Sequence, residues 1–445
     1  MHIRHKHRCR VCGSASLKPV IDLQPQYLQG SFVREGATPP PLRKIPTVLV
    51  RCDVEASDDA CGLLQLAHTV PPEVLYANYW YRSGTNQTMR EHLGAIVADA
   101  LRVARIHHRR VLDIGCNDGT LLANYPGDFE RWGFDPSDIA QTVSPPINLV
   151  GTAFPSSEGR ARLGDRRFDI ITSIAMFYDL EDPVAFAASV RDVLGQNGIW
   201  IVEMSYLPLM LRTNSFDTIC HEHLEYYSLD VLTSIAERAG LRIFRAELHP
   251  INGGSIRCYL CHQDCLAFDT RRNADDIRRL RLMEFEMRLD TDEPYRQFQK
   301  RIEYLRERMS TLLSEIRGSG KTVHLYGAST KGNVLLQWYG IDSSRIRYAA
   351  DRNPQKHGAR TLGTSIEIIS EEDSRAMRPD YYLVLPWHFR REFLAREAET
   401  IRAGTKMIFP LPDIDVVDAG NLDEELRRAA IPARLNEILG LHCPS

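Results

Sequence analysis

Four groups of residues in this 445-residue chain have the types and spacing to do chemistry. The first is RVLDIGCNDGTLL, residues 110–122, with Asp113, Gly115, Asn117 and Asp118, and the later acid Asp135 in WGFDPS. An apolar run ending in a glycine-bearing turn is how a nucleotide crevice is written, because glycine lets the backbone approach the ligand. The acids in this turn repel a pyrophosphate but suit a cofactor with an amino-acid tail and a sulfonium charge. Asp135 ends the next apolar run, about where an acid can take the ribose hydroxyls. The pattern points to S-adenosylmethionine (SAM) rather than a dinucleotide.

The second group is cysteine. Cys9 and Cys12 form a CxxCG knuckle, and Cys52 and Cys61 form a second pair split by DVEASDDA. Two pairs, each followed closely by glycine, predict a closed four-cysteine zinc site of structural role, since tetrahedral ligation tolerates the looped-out spacer. His2, His5 and His7 read as a solvated tail. Cys258, Cys261 and His262 match a haem-attachment pattern, but they lie on an apolar strand and read as ordinary strand residues.

The third group is Cys220-His221-Glu222-His223. The spacing is not HExxH, which excludes a zinc protease. In an extended segment His221 and His223 would share one face and Glu222 the other. A histidine beside a carboxylate is a natural general base, because the acid stabilises the imidazolium.

The fourth group is Gly327-Ala328-Ser329-Thr330-Lys331-Gly332-Asn333, following the strand-like VHLY and followed by a strand ending at Asp351. Hydroxyls, backbone donors, one cation and a helix N-terminus are the chemistry of a phosphate cradle. His388, in LPWHF, ends a further strand near the same crevice.

These groups need elements to hold them. The pattern from 110 to about 247 alternates strand and helix, with strands expected at 110–115, 131–135, 168–174, 198–204 and 242–247, as in a doubly wound parallel sheet. Thr120-Leu121-Leu122 should open the helix after the first strand. The long insertion between the last two strands carries the Cys220–His223 group, where such folds bind substrate. A helix from Pro294 shows the stripe Tyr295, Phe298, Ile302, Leu305, Met309, Leu312, Ile316 and stops at Gly318-Ser319-Gly320. The aromatic cluster Tyr76, Tyr79, Trp80, Tyr81 precedes a helix with Leu93, Ile96, Val97 and Leu101 on one face. It reads as packing that could cover cofactor or substrate.

The expected class is α/β: a doubly wound sheet whose DIGCNDG turn resembles the glycine motif of class I SAM methyltransferases, a second Rossmann-like domain and a small N-terminal zinc-binding β module. The divisions fall at 1–72, 73–250, a strand-and-helix connector at 251–317 belonging to the C-terminal part, and 318–445. A net charge of −3 gives no basic footprint for nucleic acid or anionic membrane. No apolar run reaches membrane-span length, and no signal peptide opens the chain. With ten cysteines and no export signal, a reducing, cytoplasmic setting is expected.

CRVCG with CGLLQL, YRSGTN, DIGCNDGTLL, SFDTICHEHLEYYSL, NGGSIR, GASTKGNVLLQWYGID and LPWHF resemble, in content and order, the motifs of nucleotide-sugar C-methyltransferases. The resemblance implies methylation at carbon 3 of a nucleoside-diphosphate 4-keto-6-deoxyhexose through an enolate. It implies SAM and structural zinc as cofactors, and a monomer or homodimer as the working form. His223 would be the base, with His221, Glu222 and Tyr178 beside it. Tyr81, Asp113, Gly115, Asn117, Asp118, Asp135, Pro136 and Ile174 would hold SAM. Ser329, Thr330, Lys331, Asn333, Asp351 and His388 would take the substrate. Two departures fall on the substrate side: Cys220 stands where relatives often have tyrosine, and residues 173–180 read SIAMFYDL. The competing readings are an O- or N-methyltransferase on another nucleotide-linked metabolite, and a scaffold that binds without turnover.

Overall fold

The computed structural model describes residues 3–34, 36, 42–75, 80–269 and 271–428. Tyr76 and Tyr79 of the aromatic cluster, His2 and the prolines at 39–41 lie outside them.

The middle of the chain folds as a seven-stranded sheet. Its order is Leu241–His249, Ser255–His262, Leu194–Ser205, Phe168–Ile174, Arg110–Ile114, Glu130–Phe134, Ile147–Val150. The last five strands run parallel, and Ser255–His262 is antiparallel to both of its neighbours. Val111, Leu112 and Ile114 are buried, as a strand covered on both faces requires. Strand order reverses where Arg110–Ile114 meets Phe168–Ile174, which opens a crevice at their carboxyl ends.

Ser255–His262 pairs inside this sheet, its apolar residues filling the slot beside Leu194–Ser205. Two local features differ from expectation. Ile147–Val150 is an added edge strand, too short to show a period. The helix expected from Thr120 shrinks to one 3₁₀ turn, Leu122–Asn124. Pro126 follows at once and drives Tyr125 into extended backbone.

A second sheet of eight strands follows, ordered Asp415–Val417, Lys406–Phe409, Tyr381–Val384, Val323–Tyr326, Tyr348–Asp351, Glu367–Ser370, Arg360–Thr361, Phe32–Val33. The five strands from Lys406–Phe409 to Glu367–Ser370 are parallel. Phe32–Val33, from the N-terminal module, is the outer edge strand. That module's own sheet runs Leu17–Asp22, Val48–Cys52, Leu64–Leu66 and then Glu225–Tyr226, a strand lent by the long insertion. The three parts are therefore stitched together by exchanged strands.

The helix Glu293–Gly318 buries Tyr295, Phe298, Ile302, Leu305, Met309 and Ile316, with Leu313 in place of Leu312 at the four-residue step. Trp338 of the C-terminal domain donates its ring N–H to the Ile302 carbonyl at 3.0 Å, docking the helix there. Among the described residues no helix is long and apolar enough to cross a membrane.

Candidate active site

One cavity of about 880 Å³ runs between the middle and C-terminal sheets. That volume is at the upper end of the ~300–1,000 Å³ range of a small-molecule site. Its walls bring together Asp113, Gly115, Asn117 and Asp135 at one end, Tyr178, Glu222 and His223 in the middle, and Ser329, Thr330, Lys331, Asp351 and His388 at the other. Tyr81, Pro136 and Ile174 also line it.

The two ends are built alike. At the first, the Asn117 N–H donates to Asp135 at 2.9 Å, and the Ser137 N–H donates to the other carboxylate oxygen at 2.8 Å. At the second, the Ala328 N–H donates to Asp351 at 2.7 Å and the Asn353 N–H at 2.8 Å. In both, the glycine that ends the first strand (Gly115, Gly327) donates to a carbonyl closing the next (Phe134, Ala350). Both glycines have φ near +80°, where a side chain is strained. A Cβ on Gly115 would also sit 2.9 Å from Met176.

The ends differ in charge. Asp113 is buried beside Asp135 and is pushed up to about 7, by burial first, against the Thr172 hydroxyl that donates to it at 2.6 Å. At the second end Lys356 pairs with Asp351 at 3.3 Å, and Arg396 pairs with Glu371 at 2.8 Å. One end favours a cation and the other tolerates an anion.

Not every expected ligand faces the cavity. Asp118 does not line it; its carboxylate accepts from Gly84 N at 2.8 Å and from the Thr120 hydroxyl at 2.6 Å. Asn117 accepts from Ser83 N at 2.9 Å and donates to the Tyr81 carbonyl at 3.0 Å. The pair clamps residues 81–84 over the cofactor end, a tie between distant segments that spacing does not reveal. Asn333 is also off the wall, buried in the helix Thr330–Tyr339 one turn past the loop. Ser329 spends its hydroxyl capping that helix at Gly332 N, 3.0 Å away.

His221 and His223 do not share a face. The His223 N–H donates to the Cys220 carbonyl at 3.2 Å, so the segment is a turn and the strand alternation fails. His221 points out of the cavity into the N-terminal module, with Nε2 3.2 Å from the Thr47 hydroxyl and its backbone N–H on Gln29. Glu222 and His223 face the cavity instead. The Cys220 thiol, a Glu222 oxygen and a His223 ring nitrogen lie within 4.8 Å of one another.

The His223 Nδ1 lies 2.7 Å from the Thr218 carbonyl. A carbonyl only accepts, so Nδ1 carries the hydrogen and Nε2 keeps the lone pair. Burial, and then the Lys331 charge, hold His223 down to about 3. It is neutral at physiological pH and able to accept a proton. The Tyr178 ring rests 4.1 Å from the imidazole. Burial pushes the Tyr178 phenol well up, so it remains a hydroxyl donor.

The four cysteines Cys9, Cys12, Cys52 and Cys61 converge with every Sγ within 4.8 Å of the others. Cys9 and Cys61 are 3.6 Å apart and Cys12 and Cys52 3.5 Å. Tetrahedral zinc with Zn–S near 2.3 Å needs sulfurs about 3.8 Å apart, so the set fits. No position is left open, so the zinc is structural. Its effect reaches the His223 segment through one ladder: Leu64 and Gln65 pair with Tyr226 and Glu225, and Glu225 stands two residues beyond His223.

Three family profiles match the chain in order. They are a zinc binding domain over residues 9–76, a methyltransferase domain over 86–246 and a C-methyltransferase C-terminal domain over 250–412. The C-methyltransferase NovU of Streptomyces niveus is 28% identical over 429 residues, covering 94% of this chain and 98% of its own. Among solved structures, a SAM-dependent methyltransferase of Clostridium acetobutylicum covers 39% of this chain and 92% of its own, at 13% identity and a TM-score of 0.31. The CcbJ methyltransferase of Streptomyces caelestis covers 41% and 99%, at 14% identity and a TM-score of 0.32. A zinc binding module, a methyltransferase sheet and a domain matching the C-methyltransferase C-terminal profile follow one another in this order, and the chain is a SAM-dependent methyltransferase whose four cysteines fit structural zinc.

Proposed function

We propose that this enzyme methylates carbon 3 of a nucleoside-diphosphate 4-keto-6-deoxyhexose, with His223 as the base. The observation that carries the reading is a shared cavity, which has an acidic crevice at one end, a matching crevice with cations at the other, and a neutral histidine between them. C-methylation at a saturated sugar carbon needs that carbon made nucleophilic, and a hydrogen α to a ketone is acidic enough for a positioned histidine to remove.

In this account the middle domain holds SAM and the C-terminal domain holds the nucleotide. Asp113 faces the cationic part of SAM, and Asp135 keeps the loop in place for the ribose. SAM, held at the Asp113–Asp135 end, would supply the methyl group that carbon 3 takes up once its proton is lost. His223 Nε2 takes that proton, and the Thr218 carbonyl keeps Nε2 aimed at the substrate. Glu222, within 4.8 Å, stabilises the imidazolium. Tyr178, its ring 4.1 Å from the imidazole, packs against His223 on the cavity wall. Sharing the cavity with His223, the Thr330 and Asp351 ends fix the nucleotide and set the sugar across the base.

The test is NMR of the product made from ¹³C-methyl SAM and a nucleoside-diphosphate 4-keto-6-deoxyhexose. A ¹³C-methyl singlet correlated to a quaternary sugar carbon supports the account. A methyl shift typical of an ether or amine would replace it with O- or N-methylation.

A further inference from the structure

Lys331 is the second residue of the helix Thr330–Tyr339, in the C-terminal domain, yet its ammonium reaches back across the cavity. Its Nζ donates to the Asn252 carbonyl at 3.1 Å, and Asn252 belongs to the turn after the strand Leu241–His249 of the methyltransferase sheet. Lys331, Asn252, Glu222, His223 and His388 line the same cavity.

The other cations on this wall are engaged or exposed. Lys356 is held by Asp351 and the Ala328 carbonyl, and Arg396 by Glu371 and Glu392. Arg352 is exposed. Among the described residues no carboxylate lies within 4.0 Å of Lys331 Nζ. Its charge is felt by the side chains around the base: it holds His223 and His388 down and opposes the rise that burial imposes on Asp217. A half-buried ammonium that feels the Asp217 charge but has no carboxylate within ion-pair distance, and that shares a cavity with a proton acceptor, is placed for negative charge that arises during turnover.

We propose that Lys331 is a catalytic residue that donates a hydrogen bond to the carbon-4 oxygen of the substrate and stabilises the enolate. This rests on the function proposed above. In the step, the C3–H bond breaks and its proton goes to His223 Nε2. The C–H electron pair becomes the C3=C4 bond, and the carbonyl π pair moves onto oxygen, where the ammonium meets it. When C3 forms its bond to the methyl carbon, the S–CH₃ bond breaks and the oxygen pair returns to remake the ketone. The C-terminal domain thus supplies a reacting group as well as nucleotide contacts.

The same lysine could have served as a diphosphate ligand, and the two roles separate cleanly. The experiment follows deuterium exchange at carbon 3 without SAM, for wild type, Lys331→Met and Lys331→Arg. It also measures the affinity of each for the bare nucleoside diphosphate and for SAM. The expected result is exchange slowed about 10²–10³-fold in Lys331→Met, as for loss of one oxyanion donor. Both affinities should stay near wild type, and Lys331→Arg should recover part of the rate. Near-wild-type exchange with weakened diphosphate binding would overturn the role and make Lys331 a phosphate ligand. Weakened SAM binding together with lost exchange would mark a structural role and overturn it too. Absence of exchange in the wild type would overturn the proposed function and this role with it, whereas exchange that Lys331→Met retains overturns the lysine's role alone.

Discussion

The His223 imidazole donates its Nδ1 hydrogen to the Thr218 carbonyl at 2.7 Å, five residues earlier in the same tight segment. This bond fixes one tautomer and one ring orientation, which a base needs before it needs a matched pKa. The segment is held from two sides. Phe216, Ile219 and Cys220 pack into the C-terminal core, and Glu225 and Tyr226 pair with the zinc module's sheet. Three domains thereby set the position of one nitrogen.

Zinc removal should therefore affect catalysis although zinc does not touch substrate. Stripping the metal with a chelator, or replacing Cys52 with serine, frees Leu64–Leu66 and with it the Glu225–Tyr226 pairing. Turnover should fall at least about tenfold, within the ~10–100-fold range seen when metal-site support is lost. SAM affinity, measured by calorimetry, should change far less. Unchanged turnover in the zinc-free protein would break this link.

SAM binding should depend on pH through Asp113. Burial holds its carboxyl up to about 7, so below that pH the unliganded protein presents a neutral acid. A cationic ligand prefers the carboxylate, so affinity should rise as pH increases from 6 to 8. Asp113→Asn should bind more weakly and flatten the profile. Titrations at three pH values decide this; equal slopes in both proteins would exclude Asp113.

Asn117→Gly should weaken SAM binding while keeping the left-handed backbone, φ 50°, that this position uses. The change deletes the bonds to Ser83 N and the Tyr81 carbonyl. Each is worth about 1 kcal/mol, so a loss of tenfold or more is expected. An unaltered dissociation constant would mean that residues 81–84 do not cover the cofactor.

Acid should destabilise the fold through buried histidines. Burial holds His221 down to about 4 and His223 to about 3, against an ordinary value near 6.5. Between pH 6.5 and 4 the unfolded chain binds protons that the folded chain refuses. Stability is thus full above 6.5 and falls with pH, by up to about 1.4 kcal/mol per unit for each histidine. Urea unfolding of His221→Gln should show a shallower slope than wild type. An identical slope would remove His221 from the linkage.

The parallel strands 110–114 and 168–174 were legible because a strand buried on both faces is a continuous apolar run. The paired crevices were legible from glycine and acid spacing, and the zinc site from the cysteine pairs. Directions of side chains were not. His221 turned away and Glu222 turned in because a hydrogen-bonded turn replaced extended chain at Cys220. Asp118 lies off the cavity wall, where Gly84, thirty-four residues earlier, supplies its partner. Asn333 and Ser329 were claimed by the helix that the loop begins. The Asp118 outcome depends on a contact between distant segments, which one-dimensional spacing does not carry, whereas the turn at Cys220 and the cap at Ser329 are local backbone geometries that residue types alone do not fix.

The central claim is that His223 removes the carbon-3 proton before methyl transfer. The most direct measurement is exchange of that proton into deuterated buffer without SAM, comparing wild type with His223→Asn. The account predicts exchange by the wild type, and a loss of about 10²–10⁴-fold in the variant with SAM still bound normally. Equal exchange in the two proteins would contradict it and assign the base elsewhere.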